Sequence, residues 1–201
     1  MKVMWDLCSG LGGSSQAFVN SPDWHVVRIE NNPILQGVEF THNLDVNDWM
    51  DWVDDLISTQ GRPDIIWASP PCLEFSQAYS APASVANREG RDFEPDMSLV
   101  FACQDLIEHV QPRHWIIENV VGAIKHFTPH LGNYFQKVGP FVLWGRCPAL
   151  LMPVGWKHLK NQNDVHSGNP LRSNIRALVP YEVSMATLNS IENQTTLERW
   201  C

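Results

Sequence analysis

One cysteine stands in a setting suited to nucleophilic chemistry. Cys72 lies in Ser69-Pro70-Pro71-Cys72-Leu73-Glu74-Phe75-Ser76, directly after Pro63-Asp64-Ile65-Ile66-Trp67-Ala68. The apolar, β-prone run reads as a buried strand, and the two prolines end it in a rigid turn. A thiol presented at a strand's carboxyl end, where open α/β sheets hold their ligands, is a candidate nucleophile. The competing reading is a small core residue, since free cysteines are among the most buried residue types. Four acids, Asp6, Glu30, Asp45 and Glu118, recur at the ends of other apolar runs or in turns. They would supply hydrogen-bond acceptors for a ligand or a site of proton transfer.

The elements that must position these groups follow in order. Val3-Met4-Trp5-Asp6-Leu7 is a short apolar run, Cys8-Ser9-Gly10-Leu11-Gly12-Gly13-Ser14-Ser15 a turn of small residues, and Gln16-Ala17-Phe18-Val19 a helix start. Such a turn lets backbone approach a ligand and offers the N–H groups of a helix start; a glycine turn made for steric reasons is the alternative. Trp24-His25-Val26-Val27-Arg28-Ile29 predicts a second strand ending at Glu30. A nucleotide-binding sheet places an acid there, about twenty residues after the turn, on ribose hydroxyls; a solvated loop acid is the alternative. After a short helical stretch, Asn43-Leu44-Asp45-Val46-Asn47-Asp48 precedes a helix from Trp49 to Ile57. Asp45 could accept from an adenine amino group, and Asp48 could be the helix N-cap.

Residues Gln77 to Asp96 read as a long polar loop beside Cys72, a candidate lid. Met97 to Val110 predicts an amphipathic helix with Cys103 on its apolar face, a core position. His114-Trp115-Ile116-Ile117 is a further strand closed by Glu118-Asn119-Val120. Glu118 therefore reaches the edge that carries Cys72, where burial would raise its pKa and suit it to proton transfer. Beyond residue 120 the pattern loosens. Phe141-Val142-Leu143-Trp144 reads as a strand, Pro148 to Lys160 as irregular, Asn161 to Asn169 as turn-rich, and Val179 to Leu188 as a helix opened by Pro180. The alternation predicts an α/β fold with a doubly wound, mostly parallel sheet.

Composition bounds the function classes. The 201 residues suit one domain, and nine tryptophans with a 44% hydrophobic share argue against disorder. An acid at position 6 interrupts any signal-peptide run, and no later segment is long enough for a bilayer, so a cytoplasmic protein with no membrane partner is expected. Cysteines at 8, 72, 103, 147 and 201 form no zinc-like spacing and no disulfide framework, so no metal is expected. A net charge of −8 opposes non-specific coating of nucleic acid. It leaves room for a local basic cleft, built mostly from the second half: Arg88, Arg91, Arg113, Lys125, Arg146, Lys157, Lys160, Arg172 and Arg176.

Together these turns resemble the DNA cytosine-5 methyltransferases. Asp6-Leu7-Cys8-Ser9-Gly10-Leu11-Gly12-Gly13 is similar to the family's first motif, which holds S-adenosylmethionine, with Cys8 where phenylalanine is usual. Glu30, followed by Asn31, matches the ribose-binding acid, and Asp45-Val46 the adenine-contacting pair. Ser69-Pro70-Pro71-Cys72 matches the Pro-Cys catalytic motif with Phe75-Ser76 in register, Glu118-Asn119-Val120 matches the Glu-Asn-Val motif, and Leu99 falls at a cofactor-packing position. Five motifs in order, over roughly the first 125 residues, make the likeness specific.

The resemblance implies a Rossmann-like S-adenosylmethionine-dependent methyltransferase fold: a catalytic domain over 1–145, a short irregular region over 146–170 that could serve as a reduced DNA-recognition segment, and a helical segment over 171–201 packing back on the catalytic domain. The implied reaction moves a methyl group from S-adenosylmethionine to C5 of cytosine in DNA, leaving S-adenosylhomocysteine. Cys72 would add to C6 and Glu118 would act at N3, with Pro71 and Asn119 completing the catalytic set and Pro71 also bordering the cofactor. The target base must leave its stack, and the loop would close over it with Ser76, Arg88 and Arg91 facing DNA; a solvated charged loop is the alternative for the two arginines. Compact members of this kind are phage-type, which would place the chain in a host cytoplasm and in restriction–modification.

The departures are also specific. Leu73 stands where glutamine commonly follows the catalytic cysteine, and the Gln-Arg-x-Arg segment that supplies a further catalytic arginine is not intact, leaving Arg146 as its nearest substitute. The stretch up to Leu171 is much shorter than the family's target-recognition domain, so recognition is minimal or comes from a second protein chain. A methyltransferase of single-stranded DNA or of a free cytosine nucleotide, and a non-catalytic relative that binds DNA or a partner, are the competing readings. A Rossmann dehydrogenase would require a glycine spacing that Gly10, Gly12 and Gly13 do not give.

Overall fold

The computed structural model describes residues 1–158 and 168–193. Its strands are β1 (Lys2–Leu7), β2 (Trp24–Ile29), β3 (Thr41–His42), β4 (Ile65–Ala68), β5 (His114–Val120), β6 (Gln136–Val138) and β7 (Phe141–Arg146). They form one sheet in the order β3-β2-β1-β4-β5-β7-β6. Pairing is parallel from β3 to β5, and β7 runs antiparallel to both β5 and β6. The helices are α1 (Gln16–Val19), α2 (Trp49–Gln60), α3 (Pro82–Arg88), α4 (Ser98–Val110), α5 (Ile124–Leu131), α6 (Arg172–Ala177) and α7 (Tyr181–Glu192).

Strand periodicity sorts the core onto two faces of the sheet. Trp5, Leu7, Ile66, Ala68, Ile117 and Trp144 share one face, covered by Trp52, Val53 and Leu56 of α2, by Val100, Cys103, Leu106, Ile107 and Val110 of α4, and by Phe127 of α5. Met4, Trp67, Ile116 and Leu143 share the other, under Ala17 and Phe18 of α1 and Val183, Ala186 and Leu188 of α7. Burial on both faces is why the inner strands read as near-continuous apolar runs. The sheet is doubly wound and mostly parallel, the fold class that alternation predicted.

Register decides which residues meet at the carboxyl edge. Leu7 pairs with Ile29 and with Ala68, and Ala68 pairs with Ile117. The next residue of each strand therefore falls in one row: Glu30, Cys8, Ser69 and Glu118. A site is assembled from four separate chain segments without any of them leaving its strand's direction.

Helix α7 closes the side of the sheet beneath this row. Ser184 Oγ donates to Ser14 O at 2.6 Å and accepts from Ala17 N at 3.0 Å. Glu192 accepts from Lys2 Nζ and from Trp24 Nε1, each at 2.7 Å. A side chain at Gly13 would collide with the backbone of Val179 and with Leu178, so glycine there permits the C-terminal segment to lie directly on the turn after β1.

Several sequence expectations change. The stretch 77–96 is not all loop, because Pro82 opens α3 within it. Strand β5 continues through Glu118 and Asn119 to Val120, held by pairing with Leu143, Val142 and Phe141 of β7. Helix α5 and strand β6 appear where no element was read; α5 carries Pro129 near its end, and β6 has only 3 residues, too few to show a period. The segment after β7 is irregular as far as His158, while Lys160, most of the turn-rich stretch 161–169 and Cys201 lie outside the described residues. Among the described residues no helix is long and apolar enough to cross a membrane, and no cluster of His, Cys, Asp and Glu could hold a metal ion.

Candidate active site

The turn after β1 is held from inside by a buried polar network. Asp6 is fully buried. Its carboxyl accepts from Ser14 Oγ at 2.8 Å and from Ser15 Oγ at 2.6 Å. Burial pushes Asp6 up to about 6, with the two serines acting against that rise. Arg28, from the neighbouring strand, donates Nε to Ser15 Oγ at 2.9 Å, Nη2 to Gly12 O at 3.0 Å and Nη1 to Glu39 O at 3.0 Å. Asp6 thus faces the turn's own serines and supports the turn from below, and Leu7 is buried in the core. Cys8, Gly10 and Gly12 take positive φ of 54°, 54° and 75°, a conformation that costs Cys8 about 1 kcal/mol or more.

Arg28 was read only as part of a strand. Its signal was a lone cation inside Trp24-His25-Val26-Val27-Arg28-Ile29, where a charge must be buried or interrupt the core. An Arg28→Ala variant leaves buried oxygens of Gly12 and Ser15 without their donor and should lose about 3 kcal/mol of stability, read as a lower urea midpoint with an unchanged slope.

At the same edge the acids are ordered by local donors. Glu30 Oε2 accepts from Gly10 N and Oε1 from Asn32 N, both at 2.9 Å. Asn31 Nδ2 donates to Asp45 Oδ2 at 2.9 Å, bridging the two acid-bearing turns. Asp45 Oδ1 accepts from Asn47 N at 2.8 Å, and this bond leads the causes that hold its carboxyl below the usual range. Asp45 thus caps the single 3-10 turn Val46–Asp48, and Asp48 stands at the N-cap position of α2, as expected, without a side-chain capping bond. Val46 is buried, and Leu99, in the first turn of α4, is half-buried against the same core. Ser9 Oγ is buried beside Gly10 with no hydrogen-bond partner, and Leu11 is half-buried. Cys8 contacts Cys103, and that contact, followed by burial, pushes its thiol well up, so Cys8 is a poor nucleophile.

The Pro-Pro-Cys turn is fastened to β5. Asn119 Nδ2 donates to Pro70 O at 2.9 Å, and Asn119 Oδ1 accepts from Val120 N at 2.9 Å. Phe75 is buried edge-on to Phe127, with ring centroids 4.9 Å apart. Its carbonyl lies so close over Gly122 that any side chain there would strike it. Those contacts leave Cys72 half-buried, between exposed Pro71 and Leu73, the latter 64% exposed. Burial, and then the charge of Glu118, push the Cys72 thiol up.

Glu118 is 8% exposed, and burial pushes it up to about 7, with a Ser69 hydrogen bond opposing the rise. Ser69 Oγ donates to Glu118 Oε2 at 3.0 Å and accepts from Trp67 Nε1 at 2.8 Å. Cys72 and Glu118 therefore influence each other: when Glu118 is protonated, the charge that disfavours the thiolate is gone.

Arg146 does not join them. It pairs with Trp115 near the start of β5, at the opposite edge of the sheet from Glu118. Its guanidinium donates to Pro112 O at 2.7 Å and Arg113 O at 3.2 Å. The substitution for the missing catalytic arginine is corrected on that geometry: a residue four positions beyond Val142 on an antiparallel strand is carried away from the edge, not toward it. Ser76 Oγ accepts from Ala78 N at 3.1 Å in the loop. Arg88, the last residue of α3, stacks 3.8 Å over the exposed Tyr79 ring, and Arg91 pairs with Glu89 at 2.5 Å on the surface.

A glycine turn, two edge acids, a half-buried thiol and a buried acid thus gather at the carboxyl edge of one doubly wound α/β sheet. The family model of C-5 cytosine-specific DNA methylases matches residues 2–142, and the chain belongs to that family. It is similar to the Frog virus 3 (isolate Goorha) protein named as a DNA (cytosine-5)-methyltransferase, with 25% identity over 151 residues, 72% of this chain and 66% of the viral protein. Two solved structures share the fold. One is an E. coli prophage protein described as a DNA modification methyltransferase, with TM-score 0.50 and 19% identity, covering 73% of this chain and 47% of that one. The other is the Entamoeba histolytica methyltransferase EhMeth, with TM-score 0.51 and 15% identity, covering 80% of this chain and 57% of that one. The chain thus spans less than two thirds of the length of each of these relatives.

Proposed function

We propose that the chain transfers a methyl group from S-adenosylmethionine to C5 of cytosine in DNA through a covalent bond to Cys72. The observation that carries this reading is the pairing of a half-buried thiol on a fastened Pro-Pro turn with a carboxyl group that burial keeps near half-protonated at neutral pH. S-adenosylmethionine would lie along the row from Ser9 and Gly10 to Glu30, Asn31 and Asp45. The orphaned Ser9 hydroxyl and the open glycine backbone fit a polar ligand there. When bound, that group offers a methyl on a sulfonium, an electrophile that needs an electron-rich carbon.

The chain's own residues create that carbon. In the form of the pair that holds one proton on Glu118, Cys72 is a thiolate; as its sulfur bonds to C6, the C5–C6 electron pair becomes available at C5 to take the methyl group, and Glu118 gives its proton to N3 as charge gathers on the ring. Release reverses the first step: the C5 proton goes to a base, the pair re-forms the double bond, and the C6–S bond breaks. Pro71 and Asn119 keep the thiol on a rigid turn, which limits the motion that a loop-borne nucleophile would otherwise have. The 77–96 segment would close over a flipped base, with Ser76 before it and Arg88 and Arg91 within it facing DNA. The connection from β7 to α6 is too short for a separate recognition domain, so target choice rests on few residues or on a second protein chain.

Incubation with tritiated S-adenosylmethionine and duplex DNA, single-stranded DNA or deoxycytidine nucleotides tests the reading. Label in cytosine of DNA is expected. Cofactor binding by calorimetry with no transfer to any of the three acceptors would contradict it.

A further inference from the structure

The acid at the site has a second support that the reaction as described does not use. Glu118 lies on β5, and on the neighbouring strand β4 ends in Trp67 and Ala68, with Ser69 the next residue. The Trp67 side chain is fully buried, and its ring nitrogen can only donate. It donates to Ser69 Oγ at 2.8 Å. With that lone pair filled from the core side, the serine's own hydrogen points to Glu118 Oε2, 3.0 Å away. The chain of hydrogen bonds therefore has one direction, from the core to the edge.

That direction has a chemical consequence. Oε2 accepts the serine hydrogen, so a proton placed on it would set two hydrogens against each other or leave the serine only the weaker acceptor of a protonated oxygen. We propose that Trp67 and Ser69 act as positioning residues that fix the polarity of the Glu118 carboxyl group, confining its acidic proton to Oε1 and stabilising the carboxylate left when that proton moves to the substrate ring. In that step the Oε1–H bond breaks, the ring nitrogen gains the hydrogen, and the negative charge left on Glu118 is met at Oε2 by the Ser69 hydroxyl. No partner of opposite charge does this work: among the described residues Glu118 makes no ion pair, its cross-strand neighbour Leu143 is apolar, and the titratable group that faces it from the Pro-Pro turn is Cys72. The Ser69 hydroxyl does this without bringing a second charge into the site.

The proposal rests on the methyl-transfer reading for its catalytic meaning, but its test does not need turnover. Glutamate labelled with carbon-13 at the side-chain carboxyl reports the Glu118 titration directly by NMR, with Glu118→Gln identifying the resonance. Wild type should titrate at about 7. Ser69→Ala should raise the midpoint by about one pH unit, roughly a tenfold fall in the ratio of ionised to protonated Glu118 at any given pH. Ser69→Thr, which keeps the hydroxyl, should restore it. Trp67→Phe should raise it by less and in the same direction, because the serine then points both ways. Where the alanine variant is too unstable to titrate, the Thr and Phe variants decide. If methyl transfer is present, the rising limb of its pH–rate profile should move by the same amount, since a site with a high thiol pKa gains its reactive single-proton form as the pair loses its first proton. Unchanged midpoints in Ser69→Ala, or in Trp67→Phe where the alanine variant does not fold, overturn the proposal. A shifted midpoint in a protein that methylates no DNA overturns the functional reading and leaves the hydrogen-bond polarity standing.

Discussion

Cys72→Ser is expected to reduce methyl transfer to cytosine by at least about a thousandfold while leaving S-adenosylmethionine affinity within about twofold. The serine hydroxyl is almost wholly protonated at any working pH, and nothing near it is placed to remove its proton: Glu118 is engaged by Ser69 and is itself near half-protonated at neutral pH. The fold should survive, because Cys72 is half-buried and the turn is held by Asn119, Phe75 and Gly122. The variant thus separates chemistry from architecture. Single-turnover rates with tritiated cofactor measure the first, and circular dichroism through a urea titration measures the second. Full activity in this variant would remove the covalent step from the mechanism.

Glu118→Gln should lower kcat by about 10²- to 10⁴-fold, the range for loss of a positioned acid. It should also change how stability depends on pH, in a direction fixed by the sign of the shift. Burial raises Glu118 above its ordinary value to about 7, so the folded state holds a proton that the unfolded chain has already lost. The stability linked to that proton is fully present below the ordinary carboxylate value and disappears as pH rises through about 7. Asp6, raised to about 6, acts in the same sense. Wild-type stability should therefore fall between about pH 4.5 and 7, by up to about 1.4 kcal/mol per pH unit for each group over its own range. In the glutamine variant the decline should level off about one pH unit earlier than in wild type, as pH rises through the Asp6 midpoint near 6. Urea midpoints at pH 5, 6, 7 and 8 show this directly.

Much of the fold was legible because the buried strands leave a strong trace. Trp24–Ile29 was delimited in the sequence as it stands in the structure, since a strand covered on both faces is mostly apolar and polar residues flank its ends. The amphipathic stretch of α4 was equally clear. Elements with few residues or mixed patterns were not: α3 sits inside a polar segment, and β6 has no second neighbour to impose a pattern. Glu30 and Glu118 were found because each follows an apolar run, Asp6 because it interrupts one, and Asp45 because it sits in a polar turn before a helix. What they touch was not legible, because hydrogen-bond partners come from different segments: Gly10 of the turn after β1 for Glu30, and Ser69, just after β4, for Glu118 on β5. Arg28 and Ser69 were both written in the quoted motifs, yet their importance depends on strand register, which residue order alone does not fix. Arg146 shows the converse. Its residue type and proximity in sequence fit a catalytic role, and the direction of β7 carries it to the wrong edge.

The measurement that most directly tests covalent methyl transfer by Cys72 uses DNA whose cytosines carry fluorine at C5. Addition of the thiol to C6 and transfer of the methyl group proceed, but C5 then bears no hydrogen for a base to remove, and the C6–S bond cannot be released by elimination. Incubation with this DNA and S-adenosylmethionine, followed by digestion and mass spectrometry, should give a DNA-linked peptide with the bond on Cys72, and no linked peptide from Cys72→Ser. Methylation of ordinary DNA without any trapped adduct, or an adduct on Cys8, Cys103 or Cys147 in place of Cys72, would contradict it.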